Sequence, residues 1–212
     1  MATVPSSPQF TTPALGDPAW DIALLYPAQG YWGEEEYLSL TDSTNQLVEF
    51  TDGFIEVLAM PSIEHQLILK FLLKSLESFT EPRGLGVVLF SPVRVWTRPT
   101  QYREPDLVFN FSEKHEQSGR RYYKGADLVM EVVSDDDKSR QLDYATKVAD
   151  YALAGIPEYW IVDPKEAKIT VMVLQGGEYV AMGPYLRSDV ASSVLLEGFS
   201  LQVDDVFNAG RR

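Results

Sequence analysis

The sequence predicts an α/β fold in which helices pack on a mixed β-sheet. Three observations lead there. Residues Asp127 to Val162 read strand, helix, strand, the crossover unit that lays two strands side by side with a helix over one face. Pro61 and Ser62 open one long amphipathic helix reaching about Phe79, with His65, Leu69, Leu72, Leu76 and Phe79 on a single stripe. Short apolar runs broken by turn residues supply further strands around both.

In chain order, residues 1–30 form an extended arm rich in proline, serine and threonine (Pro5, Ser6, Ser7, Pro8, Thr11, Thr12, Pro13), and residues 31–212 form one domain. The arm has neither the basic start nor the apolar run of a secretory signal. A short helix is expected over Glu34–Leu40. Val48 to Val57 alternates around Asp52-Gly53, a dipeptide suited to a two-residue hairpin turn. After the long helix come strands at Gly86–Phe90, at Arg94–Trp96, and from Asp106 to Phe109 directly after Pro105. Asp127–Val133 is the next strand. Asp135, Asp136 and Asp137 supply N-cap chemistry for a helix running to Ala154. Gly155 stands where a left-handed C-terminal residue belongs, and Pro157 prevents continuation. Glu158–Val162 is a strand ended by Asp163-Pro164. Lys168–Leu174 and Glu178–Ala181 form a hairpin around Gly176-Gly177, and Val194–Phe207 adds a strand and a terminal turn.

With 212 residues, 45% of them hydrophobic, the chain is long enough for one continuous core. It has no cysteine, which excludes disulfides, thiolate metal sites and a cysteine nucleophile, and fits a reducing compartment. No run approaches a membrane span. A soluble, cytoplasmic protein is the expectation. The net charge of −13 argues against strong non-specific binding to polyanions. Its distribution is uneven: Arg83–Lys124 holds eight basic and four acidic residues, a net of +4, and the remainder carries −17. Arg94, Arg98, Arg103, Lys114, Arg120, Arg121 and Lys124 thus flank Asp106 in sequence, as either a solvated loop or a phosphate-facing rim.

Glu131 is the most informative single residue. It interrupts Leu128-Val129-Met130-Glu131-Val132-Val133, a run apolar on both faces and therefore an interior strand. An ionised carboxylate there costs several kcal/mol unless a cation or hydrogen bonds compensate. A buried salt bridge answers that demand as well as a metal does. Asp106 alone reads as a strand-start cap. Two acids on adjacent strands would instead supply the hard oxygens that Mg²⁺ takes together with water and phosphate. On the helix after Glu131, Arg140, Tyr144, Lys147 and Tyr151 share one stripe, so Lys147 could face Glu131. Spacing by itself favours a surface lysine paired with Asp143 at i−4. The hairpin register sets Glu49 opposite Glu56, a like-charge pair that requires either solvation of both, the simpler expectation, or a cation facing one of them. His65 sits on an apolar stripe, where a hydrogen-bonded core histidine is commoner than a catalytic one.

The motifs Arg103-Glu104-Pro105-Asp106-Leu107-Val108-Phe109 and Asp127-Leu128-Val129-Met130-Glu131-Val132-Val133-Ser134 resemble the PD-(D/E)xK nuclease signature. More narrowly, the chain resembles the Uma-two family of restriction-endonuclease-like proteins. Lys147 through Tyr151, then Gly155-Ile156-Pro157-Glu158-Tyr159-Trp160-Ile161-Val162-Asp163-Pro164, carry most of that resemblance, with Glu49, Asp52-Gly53, Pro61-Ser62 and Glu64-His65-Gln66 adding to it. The resemblance spans roughly Glu34 to Phe207. It implies a restriction-endonuclease-like mixed sheet flanked by helices, with additional hairpins toward both ends. It also implies a Mg²⁺-dependent endodeoxyribonuclease, for which Mn²⁺ could substitute. Asp106, Glu131 and the Val132 carbonyl would be its metal ligands. The lysine expected two residues after the glutamate is Val133 here, and the resemblance assigns its place to Lys147. Glu49, His65 and Tyr151 would assist. DNA is the expected substrate and a homodimer the expected assembly. The competing readings are a catalytically silent nucleic-acid-binding or regulatory domain, and a metal-free glycoside hydrolase using the same two acids.

Overall fold

A computed structural model of the chain describes residues 25–44 and 46–211. The arm expected over residues 1–30 falls almost wholly outside them. Three glutamates, Glu34, Glu35 and Glu36, occupy the first turn of α1 (Glu34–Asp42), where the helix dipole favours negative charge. Asp52 and Gly53 both take positive φ, 49° and 85°, and close the expected hairpin between β1 (Val48–Thr51) and β2 (Phe54–Val57). At Gly53 a Cβ would lie 2.7 Å from the Gly30 carbonyl oxygen, so the close approach of the 25–33 segment requires glycine. The Ser62 side chain accepts from the His65 backbone N–H and starts α2 (Ile63–Thr80).

Two sheets follow. The larger comprises β3 (Gly86–Phe90), β6 (Leu107–Phe111), β8 (Leu128–Val132), β9 (Glu158–Asp163), β10 (Lys168–Gln175) and β11 (Glu178–Tyr185). Its six strands lie in the order β11-β10-β9-β8-β6-β3. Only β8 and β9 pair in parallel, joined by the expected crossover helix. The smaller sheet adds β4 (Val95–Arg98), β5 (Gln101–Arg103) and β7 (Tyr123–Lys124) to the first hairpin, in the order β2-β1-β5-β4-β7. The N-terminal hairpin is thus the edge of a second sheet, and the β10–β11 hairpin extends the main one. A separate small hairpin, β12 (Val190–Ser192) with β13 (Ser200–Gln202), precedes α6 (Val203–Ala209). Strands β5, β7 and β12 have two or three residues and give no alternation long enough to detect in the sequence. The same holds for α3 (Ser112–Glu116), a little over one turn.

One face of the six-stranded sheet packs Leu107, Phe109, Leu128, Met130 and Trp160 against Ile68, Leu69, Leu72 and Leu76 of α2 and against α6. Each large side chain so buried contributes about 1.5–3 kcal/mol. The opposite face packs Val108, Val129, Tyr159 and Ile161 under the crossover helix. That helix is not uniform. It runs as α4 (Asp137–Gln141), a π-helical turn over Leu142–Thr146, and α5 (Lys147–Leu153). Gly155, with φ 72°, ends it as expected. Among the described residues, no helix is long and apolar enough to cross a membrane.

Candidate active site

Strand β8 carries burial on both faces, and Glu131 is buried with it, 3% exposed. Across the antiparallel β6–β8 pair the register is Leu107↔Met130 and Val108↔Val129. Extending it by one residue sets Asp106 opposite Glu131. The Asp106 backbone N–H lies 3.4 Å from Glu131 Oε2, and Asp106 Oδ2 accepts from the Val132 N–H at 2.8 Å. Pairing of β6 with β8 therefore assembles the two sequence-predicted acids.

Each acid receives a partner from a different helix. His65, in the first turn of α2, places Nε2 at 3.0 Å from Asp106 Oδ2. Its Nδ1 is buried without a partner among the described residues. From the other face, α5 brings Lys147 Nζ to 2.8 Å from Glu131 Oε1, and the Tyr151 hydroxyl donates to the same oxygen at 2.8 Å. Lys147 is 5% exposed and also approaches Asp143 at 3.0 Å. The i−4 pairing with Asp143 is real, but it is buried rather than solvated.

The expected stripe Arg140–Tyr144–Lys147–Tyr151 is corrected by the π-helical turn. Its wider winding rotates residues before it relative to those after it. Arg140 and the Tyr144 hydroxyl turn to buried Asp163 at 2.7 and 2.8 Å, whereas Asp143, Lys147 and Tyr151 join the Glu131 side.

Glu49 does stand opposite Glu56, but solvation of both is not the outcome. Glu49 is 1% exposed, accepts from the Arg103 guanidinium, and takes the Glu104 N–H at 3.1 Å. Arg103 in turn binds Asp150 of α5, and Glu56 pairs with Lys138. The desolvation a carboxylate suffers at this position is met by a buried cation, which is why a like-charge register is tolerated. The basic segment forms no rim around Asp106 either. Arg98 goes to Asp52, Arg103 to Glu49 and Asp150, and Lys114 to Asp127.

A cavity of about 230 Å³ opens onto this assembly, lined by Asp106, Glu131, Lys147, His65, Asp143 and Glu104 among others. Asp143 and Glu104 escaped the sequence reading as site residues. The i−4 spacing to Lys147 was a signal for the first, and a position two before Asp106 for the second. Burial pushes the Glu131 carboxyl up to about 8, with Asp106 and Asp143 adding to the rise against the pull of Lys147. Asp143 is raised by burial as well. Glu104 is pushed up to about 7, again mainly by burial, with Glu49 contributing. Burial works against the Lys147 ammonium, yet Glu131, Asp143 and Glu49 outweigh it and hold the lysine charged. Burial likewise disfavours an ionised Glu49, but Lys147 and Arg103 prevail and keep its carboxyl below the usual range. One ammonium thus faces several carboxyls in a poorly solvated cavity, and their raised values reflect the cost of ionising them together, a cost that a divalent cation would offset. Among the described residues, no three histidine, aspartate or glutamate side chains converge as a ready-made metal cage.

The profile of the Uma2 family, described as "Putative restriction endonuclease", matches residues 34–204. A solved structure of a "putative nuclease belonging to DUF820" from Anabaena variabilis is similar over 83% of this chain and 97% of that one. Its TM-score is 0.68 at 17% sequence identity, a likeness of fold. No curated protein matches.

Proposed function

The chain belongs to the Uma2 family, and on that footing we propose that it is a divalent-metal-dependent nuclease that hydrolyses phosphodiester bonds in DNA. The observation that carries the reading is the position of Asp106 across from Glu131 on central strands, with Lys147 against Glu131. The family description and that of the Anabaena protein support the nuclease part of this reading.

The residues fit Mg²⁺. This ion takes one or two carboxylates and completes its octahedron with water and substrate phosphate, so a two-acid site without a third side chain suits it. Asp106, Glu131 and the Val132 carbonyl would hold the ion, with Mn²⁺ as a substitute. When bound, it would neutralise charge developing on the scissile phosphate and acidify the attacking water.

The protein's own groups do the rest. Lys147 keeps a fixed positive charge at the cavity, placed to stabilise a phosphorane-like transition state. The Tyr151 hydroxyl and the Lys147 ammonium both hold Glu131 Oε1, which leaves Oε2 as its freer oxygen. The Val132 N–H and His65 hold Asp106 Oδ2 in the same way. Glu49 does not line the cavity. It anchors Arg103, which ties the smaller sheet to α5 through Asp150, so its contribution is to position rather than to react. A homodimer would present two such sites to the two strands of a duplex.

The test is incubation with DNA in Mg²⁺ or Mn²⁺, together with calorimetric titration of Mn²⁺. Wild-type protein should cut. Asp106→Asn and Glu131→Gln should lose activity by at least about 10²-fold and lose the heat of Mn²⁺ binding. No cleavage by any form would return the chain to a catalytically silent nucleic-acid-binding role, and equal cleavage in Glu131→Gln would overturn the proposed site. Cleavage unaffected by EDTA would sink the metal site.

A further inference from the structure

The basic segment of the sequence is largely dispersed into ion pairs, but part of it collects elsewhere. Between the β3–β4 loop and the α3–β7 loop lies a second cavity of about 630 Å³, within the range of ligand sites. Arg94, Arg120, Arg121 and His115 line it, over an apolar floor that includes Val93 and Tyr123. Glu116 is the one acid among its lining residues.

Two of these guanidiniums share a single carboxylate: Arg94 donates to Asp42 at 2.7 Å and Arg121 at 3.0 Å. Arg121 also reaches Glu35, whose side chain is 80% exposed, so that pair is screened by water. Arg120 is exposed and enters no ion pair among the described residues. Arginine presents a planar fork of donors that matches phosphate, and its face stacks on bases. Pro92 lines both this cleft and the acidic cavity, so the two adjoin at that residue. A chain of net charge −13 repels a polyanion over most of its surface, so phosphate binding must be local.

The geometry points to this cleft as a subsite for one DNA strand beside the scissile phosphate, with Arg120 and Arg121 on backbone phosphates and a nucleotide over Val93. The identity of the ligand rests on the nuclease reading; the location does not.

The experiment is fluorescence anisotropy of a fluorescein-labelled single-stranded deoxyoligonucleotide, titrated in EDTA at several salt concentrations. Arg120→Glu should weaken binding about tenfold and lower the salt slope by about 0.7 for each phosphate that the side chain no longer neutralises. Arg120→Lys should retain most of the affinity. Lys74→Glu makes the same change in net charge on the exposed side of α2, and should leave affinity within about twofold. Unchanged affinity in Arg120→Glu, an equal loss in Lys74→Glu, or no binding by the wild type overturns the subsite. So does competition by a poly-glutamate peptide as effective as unlabelled oligonucleotide, since the cleft would then be a general anion site. Arg120-dependent binding without cleavage removes the nuclease reading and leaves the cleft. Cleavage with unchanged affinity in Arg120→Glu removes the cleft alone.

Discussion

Replacing Lys147 by methionine removes the positive charge that sits between Glu131 and Asp143 while keeping much of the side chain's bulk. The ammonium lies 2.8 Å from one carboxylate and 3.0 Å from the other, and all three groups are buried. At an effective dielectric of about 20, each pair is worth roughly 6 kcal/mol before desolvation is subtracted. Breaking a buried pair by removing one partner costs about 3–5 kcal/mol. For a chain of this size, that is a fall in Tm of roughly 6–20 °C. The pH dependence gives the sharper test. Burial already raises the Glu131 and Asp143 carboxyls, and losing Lys147 raises both further. In the unfolded chain both ionise in the ordinary carboxylate range. The cost of the substitution is therefore small when both are protonated, and grows as pH rises through their raised folded values. Urea denaturation in EDTA, at about pH 8.5 and about pH 5, measures the difference. The deficit of Lys147→Met against wild type should be largest at the higher pH. A deficit below about 1 kcal/mol at high pH, or one equal at both, would refute the buried electrostatic assembly described above.

Arg103→Met should cost about 3–5 kcal/mol by chemical denaturation because it strands buried Glu49, and adding Glu49→Gln should recover most of the loss; a double variant no better than the single one contradicts the coupling. Glu104, raised to about 7, favours the folded state most when protonated, so its share of stability is present below the usual glutamate range and lost as pH rises through 7. Glu104→Gln should flatten the stability profile across that window by no more than roughly 3 kcal/mol, and an unchanged slope would count against the carboxyl's burial as the cause. Tyr151→Phe removes one hydrogen bond from Glu131 Oε1; cleavage should slow roughly tenfold with KM unchanged. A rise in KM alone would count against its hydrogen bond to Glu131 acting on the chemical step.

Much of the site was legible because its elements announce themselves locally. A glutamate inside an all-apolar strand, an acid straight after Pro105, and a helix with Gly155 at its end are each readable within a few residues. What was read wrongly shares one cause, a dependence on neighbours distant in sequence. Glu49 seemed solvated because nothing near it supplies a cation; Arg103 does so from 54 residues away. The basic stretch was open to both a solvated-loop and a rim reading because the acids that neutralise it, Asp52, Asp127 and Asp150 among them, lie in other elements.

The sequence by itself determined which segments become strands and helices around the site, since turn chemistry, capping and apolar period act within one turn or one strand. It also singled out Glu131, because an acid in an interior strand demands compensation wherever the strand lies. Tertiary structure alone decided how that demand is met. The β6–β8 register put Asp106 opposite Glu131, the start of α2 delivered His65, and a π-helical turn rotated Asp143 and Lys147 inward while sending Tyr144 to Asp163. Register and helical phase are set by the packing of whole faces against one another, and no single stretch of sequence contains that information.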